Sequence, residues 1–491
     1  MMFYNLILMV VLFLLYCCNN KLMIMFTMFV MMGIQMSMIG NLIMVEEFMS
    51  FGMYLDGMTL MLNWLTCWVM LMLKTMVDYK SFLNYTLMVF LMLCFMSSNL
   101  LMMYIWFEAI LIPMFIKILT EGAGMKRVMS SLYLMVFTFF GSFLMIVIML
   151  LGFNNNYSFM YQNLMLSNLN WNSVWMLMFL MFFIKMPVYS VHMWLPYAHV
   201  EASIEGSVIL AGLILKLGGF GLLRVNNYVI LSLFMKGAVM VLSLWGAFVV
   251  SLICMRQVDL KKLIAYSSIV HMGWLSSVLM EDSIMGVNSG LGVMISHGLV
   301  SGGLFIFIGV VYYRVYSRNL LLMKGFSMKM GGLNWVFLVM ILMNMGTPPF
   351  MNFFVEMIII LLMVKISVLM IFLICSLMIL SISYNLYVYM NMCSVKMSQN
   401  VRDDVLEMGE NLVFLLILFP VILYLFKMNL FLEWMWYLTS LWKMLNCEFK
   451  EKKVLLNYFY FISMNIYIFK YYIIIFNLCI YSKVFNFCFS D

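Results

Sequence analysis

Six ionisable side chains, Glu108, Lys185, Lys216, His271, His297 and Glu356, stand in or beside the middle of long apolar runs. If each run crosses a hydrocarbon core about 30 Å thick, these groups lie near its midplane. At about 1.5 Å per residue, Glu108 is one residue from the centre of its run, Lys185 at the centre, Lys216 between two and three away, and His271 and His297 within two. Glu356 follows Gly346-Thr347-Pro348-Pro349 by seven residues and belongs at similar depth. Each buried Lys or Glu costs roughly 2.5–3.5 kcal/mol on insertion scales, so the four together cost on the order of 10 kcal/mol if unpaired. Packing alone would not select them. The set mixes acids and bases, which suits a proton relay: a buried Lys keeps its proton beside a carboxylate and gives it up when that partner withdraws. All four His of the chain, His192, His199, His271 and His297, fall in or beside the same segments. Glu201, two residues after His199, and Lys261 are secondary members.

These residues must be positioned by membrane helices. The chain has 491 residues, of which 66% are hydrophobic and only 27 basic and 20 acidic. A soluble chain of this length would carry on the order of 120 charges. With a mean hydropathy of +1.07, its surface in water would be one apolar patch, which excludes a soluble globular protein. Cutting at charged and turn-forming residues gives fourteen spans: 2–16, 22–44, 58–77, 82–98, 99–119, 128–152, 174–196, 204–223, 229–253, 263–281, 285–312, 333–366, 367–392 and 411–432. The fourth and fifth are divided on length alone. Lys and Arg test this cut, because in short loops they collect on one side of the membrane. Loops after odd-numbered spans hold Lys21, Lys80, Lys126, Arg127, Arg256, Lys261, Lys262, Arg314, Arg318, Lys324, Lys329, Lys396 and Arg402; the opposite side has Arg224, with Lys365 and Lys427 near span ends. The even count follows, with the N-terminus opposite the basic loops.

Proline interrupts two spans, at Lys185-Met186-Pro187 through Pro196 and at Pro348-Pro349. A proline inside a helix removes a backbone hydrogen bond and clashes with the preceding turn, so both helices should be broken. Matched breaks, Pro187 and Pro348 lying 161 residues apart, point to inverted repeats with discontinuous helices. The fold class is all-α and polytopic. Residues 1–84 read as N-terminal transmembrane helices, 85–392 as an inverted-repeat transporter core, 393–432 as a C-terminal helix and 433–491 as an unassigned tail. Only 3 of those last 59 residues are Met, against 59 of the preceding 432; the tail is either an extension with one more span near 454–481 or a misplaced gene boundary.

Other chemistry is set aside. His199-Val200-Glu201 lacks the second His of a zinc helix, and Gly122-Ala123-Gly124 running into Met125-Lys126-Arg127 is neither a dinucleotide fingerprint nor a phosphate loop. The ten Cys show no CxxC and read as core hydrophobes. Dispersed charge argues against nucleic acid. Lys74, Lys117 and Lys236 lie toward span ends, where snorkelling to the interface is expected. Trp106, Trp194 and Trp245 receive no special role.

At these motifs the chain resembles the antiporter-like membrane subunits of NADH-ubiquinone oxidoreductase, respiratory complex I. The match runs through Trp106-Phe107-Glu108-Ala109, Lys185-Met186-Pro187, His192-Met193-Trp194-Leu195-Pro196, Ala198-His199-Val200-Glu201-Ala202, Leu215-Lys216-Leu217-Gly218-Gly219, Arg256-Gln257-Val258-Asp259-Leu260-Lys261, His271-Met272-Gly273 and Ser296-His297-Gly298-Leu299, and ends at Pro348-Pro349 and Asn352. It covers most of residues 85–390. The resemblance implies Glu108 and Lys185 as the charged pair of a first half-channel, Lys216 as the link, His271 and His297 as central groups and Glu356 as the outlet. Sister subunits carry Lys at that last position, so Glu356 narrows the branch. It further implies proton translocation in the mitochondrial inner membrane, with NADH and ubiquinone used by the complex and no cofactor bound by this chain. The implied partners are other membrane-arm subunits and the lipid bilayer.

Several positions depart from the family's pattern: Ser203 in place of Pro, Glu205 of a small residue, Tyr197 of Lys, Tyr313 and Tyr316 of Glu and His, and Val355 of the Gly before the outlet Glu. The last bears on the backbone at Glu356. Three rival readings remain. A stand-alone cation/proton antiporter would share the midplane logic. A haem cytochrome would use the four His, whose spacing is poor because His192 and His199 flank Pro196. An inert scaffold would leave the buried charges unexplained.

Overall fold

The computed structural model describes residues 28, 30, 32, 33, 35, 48–50, 53–76, 82–122, 124–154, 172–228, 232–281, 283–325, 331–348, 350–393 and 408–426. Outside the described residues lie the first span, most of the second, the end of the fourteenth, the tail and its extra span. A short antiparallel hairpin, β1 (Phe48–Ser50) and β2 (Met53–Leu55), pairs Phe48 with Leu55. It precedes the helices α1 (Gly57–Met76), α2 (Phe82–Phe95), α3 (Leu100–Glu121) and α4 (Arg127–Asn154). The division between spans four and five holds: α2 stops at Phe95, and α3 restarts at Leu100 behind Asn99 in an extended conformation.

The seventh span is broken as proline requires. Helix α5 (Asn172–Lys185) ends on the lysine itself, and α6 (Trp194–Glu201) follows after eight non-helical residues. The break leaves the Ile184 carbonyl without its helical donor, and the Trp194 indole Nε1 donates to it at 3.0 Å. The eighth span is α7 (Ile204–Ile209), a π turn at Leu210–Ile214, and α8 (Leu215–Tyr228). Then come α9 (Leu233–Met255), α10 (Leu260–Leu279) and α11 (Ile284–Val315). The twelfth span splits into α12 (Gly331–Asn344) and α13 (Met351–Val364), with α14 (Val368–Met392) and α15 (Met408–Phe426) completing the described chain.

Among the described residues, seven segments are long and apolar enough to cross a membrane, and their burial differs with their place. The α7 to α8 rod and the 32-residue α11 are buried over their whole apolar windows, so they are the core. Helix α4 turns Val136, Phe139, Phe140 and Phe143 outward, an apolar face suited to lipid. Close packing of the two core rods needs small residues: a Cβ on Gly298 would meet Leu65 Cδ2 at 2.9 Å and the Gly212 carbonyl at 3.1 Å.

Sidedness agrees with the loop charges. Arg224, the basic residue opposite the positive loops, is buried and pairs with Asp56, just after the hairpin, at 2.8 Å. On the basic side Arg314 grips Glu410 through two hydrogen bonds of 3.0 and 2.6 Å, tying α11 to α15.

Snorkelling fails for two of the three end-of-span lysines. Lys117 is completely buried and Lys236 is 5% exposed. Lys117 turns inward because Glu205 on α7 offers its Oε2 at 2.6 Å, and a buried ion pair displaces the exposed alternative.

Candidate functional site

The midplane residues fall into groups. At the first break, Lys185 is 1% exposed, and its ammonium lies 4.1 Å above the Phe107 ring, a cation–π contact. Glu108, the next residue on α3, is half-buried and within electrostatic range of Lys185. Its Oε1 is buried without a hydrogen-bond partner.

Helix α8 carries the path inward. A Cβ on Gly218 would lie 3.1 Å from Lys185 Cβ, so the rod passes directly behind the break. Two residues earlier, Lys216 is completely buried. Its Nζ donates to the Ala211 carbonyl at 2.6 Å and bonds His297 Nδ1 at 2.8 Å. The π turn supplies that carbonyl, and such turns often mark functional positions in helices. His297 and His271 face each other with ring centroids 5.3 Å apart, and Asn344, the last residue of α12, lies against His271.

Between the histidines and Glu356 is a cavity lined by His271, Trp274, Ser296, His297, Asn352 and Glu356, among others. Its volume is about 10 Å³, room for about one water molecule. His271 Nε2 and Glu356 Oε2 are both buried without a hydrogen-bond partner, so a water here has groups waiting for it. Glu356 is held by the second break. Gly346 has a φ of +66°, and its Cα face touches the Glu356 carboxylate: a Cβ there would lie 2.1 Å from Oε2. Asn352 Nδ2 fastens the break by donating to the Met343 carbonyl at 2.7 Å. Val355 does not disturb α13, which runs unbroken through it; its side chain packs on Gly292 of α11.

The secondary residues divide. His199 is fully buried, stacked on Phe305 at 4.6 Å, with both ring nitrogens unpartnered. It is within electrostatic range of Lys261 and Lys216. Lys261 donates to the Ala202 carbonyl at 3.1 Å and interacts with Glu201. His192 stands apart in the first break, stacked on Tyr189 at 5.3 Å. Sequence reasoning missed Asn352 as the fastener, the Trp194 indole and the Lys117–Glu205 pair; the signal for the last was Glu205 itself, a carboxylate where the family has a small residue.

Chemically, the arrangement is a chain of proton donors and acceptors, Lys216, His297 and His271, with direct contact at one end and a water-sized gap before Glu356 at the other.

The transmembrane family described as NADH:quinone oxidoreductase/Mrp antiporter matches residues 97–383. The NADH-ubiquinone oxidoreductase chain 4 of Rhipicephalus sanguineus is 34% identical over 398 residues, covering 79% of this chain and 91% of the relative. The fold is similar to a chain of respiratory complex I from Thermus thermophilus with bound NADH, with a TM-score of 0.79 and 21% identity over 91% of this chain and 100% of that one. A chain of an Mrp complex from a Dietzia species is similar with a TM-score of 0.77 and 14% identity, over 89% of this chain and 96% of that one. This chain belongs to the NADH:quinone oxidoreductase/Mrp antiporter family of membrane proteins.

Proposed function

We propose that the chain is a proton-translocating membrane subunit of an NADH:ubiquinone oxidoreductase in the mitochondrial inner membrane. It works beside other membrane-arm subunits, the redox chemistry is carried by subunits elsewhere in the complex, and this chain holds no redox cofactor. The observation that carries this reading is the fully buried Lys216 bonded to His297 beside a cavity that ends on Glu356. Glu108 and Lys185 form the first step, Lys216 receives the proton, the two histidines pass it on, and Glu356 releases it after a water-bridged transfer. His199, Lys261 and Glu201 support Lys216 from the basic-loop side. Moving one charge against the membrane potential costs about 2.3 kcal/mol per 100 mV, so quinone reduction elsewhere in the assembly has to drive the cycle.

Glu108→Gln tests the first step. It keeps the shape of the side chain and removes its charge. In the assembled complex reconstituted in vesicles, NADH oxidation continues and the protons moved per electron fall. An unchanged ratio contradicts the role given to Glu108. A stand-alone antiporter, which the Mrp likeness represents, would purify without a large NADH-oxidising assembly.

A further inference from the structure

The Lys117 cluster stands outside the relay and has no place in the path above. Lys117 Nζ on α3 donates to Glu205 Oε2 on α7 at 2.6 Å and to Asn84 Oδ1 on α2, with Glu121 Oε2 at 3.4 Å. Asn84 Nδ2 donates to the same Glu205 oxygen at 2.5 Å. Ser203 Oγ accepts from the Gly206 N–H at 3.2 Å and donates to Glu121 Oε2 at 3.0 Å, so the start of α7 is bonded to the end of α3 twice over. The ammonium is fully buried, whereas the Glu205 side chain is 13% exposed. The pair therefore joins two helices through a contact that water barely reaches.

What those helices carry gives the contact its interest. Glu108 lies nine residues before Lys117 on α3, and Lys216 lies eleven residues after Glu205 along α7, the π turn and α8. Each arm contains one helical irregularity between its two functional ends. Pro113 stands between Glu108 and Lys117, removing the backbone bond to the Ala109 carbonyl. The π turn Leu210–Ile214 stands between Glu205 and Lys216 and supplies the Ala211 carbonyl that Lys216 holds. Helices bend at such points and move as rods between them. With a bend point on each arm, the positions of Glu108 and Lys216 relative to each other are not set by helix stiffness alone and depend on the Lys117–Glu205 contact that holds the two segments together.

We propose that Lys117 and Glu205 are positioning residues for the relay: their ion pair is the tie that fixes the α7 rod, and with it the Lys216 ammonium, against the helix that carries Glu108. This rests on the reading of the chain as a proton-translocating subunit. A pair that served assembly alone would change how much complex accumulates and leave the protons moved by each assembled complex untouched.

The test uses the intact complex in vesicles, with protons per electron read beside NADH:ubiquinone turnover. Glu205→Gln removes the charge and keeps two acceptors, Asn84 and Glu121, around Lys117. Glu205→Asp keeps the charge and shortens the reach by one carbon. Both are expected to bring the proton ratio down to the level of Glu108→Gln in assembled complex, and Lys117→Arg added to Glu205→Asp, which restores the reach, is expected to return more than half of the loss. If Glu205→Gln fails to accumulate, Glu205→Asp decides alone. A normal ratio in the aspartate variant overturns the proposal. Glu108→Gln run in the same preparations separates the two levels: a normal ratio there removes the relay reading itself, whereas a low ratio there with a normal ratio in Glu205→Asp removes only the tie.

Discussion

Replacing Lys216 with methionine is expected to stop proton transfer through this chain while the helices stay packed. Methionine fills nearly the same volume in a site that is already fully buried, so the cavity and overpacking costs of core substitutions stay small. The loss falls on chemistry. His297 Nδ1 loses its 2.8 Å partner and the Ala211 carbonyl its 2.6 Å donor, each left unsatisfied at roughly 1–3 kcal/mol. No other described side chain bonds His297 Nδ1 toward Lys185. A positioned proton-transfer group is worth about 10²–10⁴ in rate, which sets the expected drop in the proton flux of this chain, seen as a lower ratio of protons to electrons in vesicles. Lys216→Arg sharpens the test. It keeps a cation at the same place but cannot release its proton, so it is expected to be as inactive as methionine. Wild-type flux in the arginine variant would mean that Lys216 acts by its charge alone.

Gly346→Ala is expected to disable the outlet from a residue that touches no proton. Its φ of +66° costs a side-chain-bearing residue roughly 1–2 kcal/mol. The new methyl would also stand 2.1 Å from Glu356 Oε2, so the carboxylate has to leave its present seat. Since Glu356 lines the cavity shared with His271 and His297, moving its carboxylate alters the geometry of the last step. The expected result is a proton flux comparable to that of Glu356→Gln, and no further loss when the two are combined, because coupled residues are non-additive. Full additivity in the double variant would place the effect of Gly346 elsewhere.

Most of the frame was legible because membrane helices obey length and charge rules. Twelve of the fourteen spans reappear as helices among the described residues, and both proline breaks fall where a missing N–H demands them. The midplane acids, lysines and histidines were legible from their cost. What escaped depended on partners far away in the chain. Lys117 near a span end has a stem long enough to snorkel, and only Glu205, 88 residues on, turns it inward. The π turn runs through Leu210-Ala211-Gly212-Leu213-Ile214, an apolar stretch without proline whose pattern is that of an ordinary helix. Trp194 looked like packing because the carbonyl it satisfies exists only after the break has formed. The paired strands Phe48–Ser50 and Met53–Leu55 were too short to register as periodicity.

Solvent between the histidines and Glu356 is the most direct test of a relay. In a density map of the assembled complex fine enough to resolve ordered solvent, a water is predicted in the cavity bounded by His271, His297 and Glu356. It lies within hydrogen-bonding distance of both His271 Nε2 and Glu356 Oε2, the two buried atoms that now lack partners. A dry cavity at that resolution, with Glu356 turned away from the histidines, would contradict proton passage along this route.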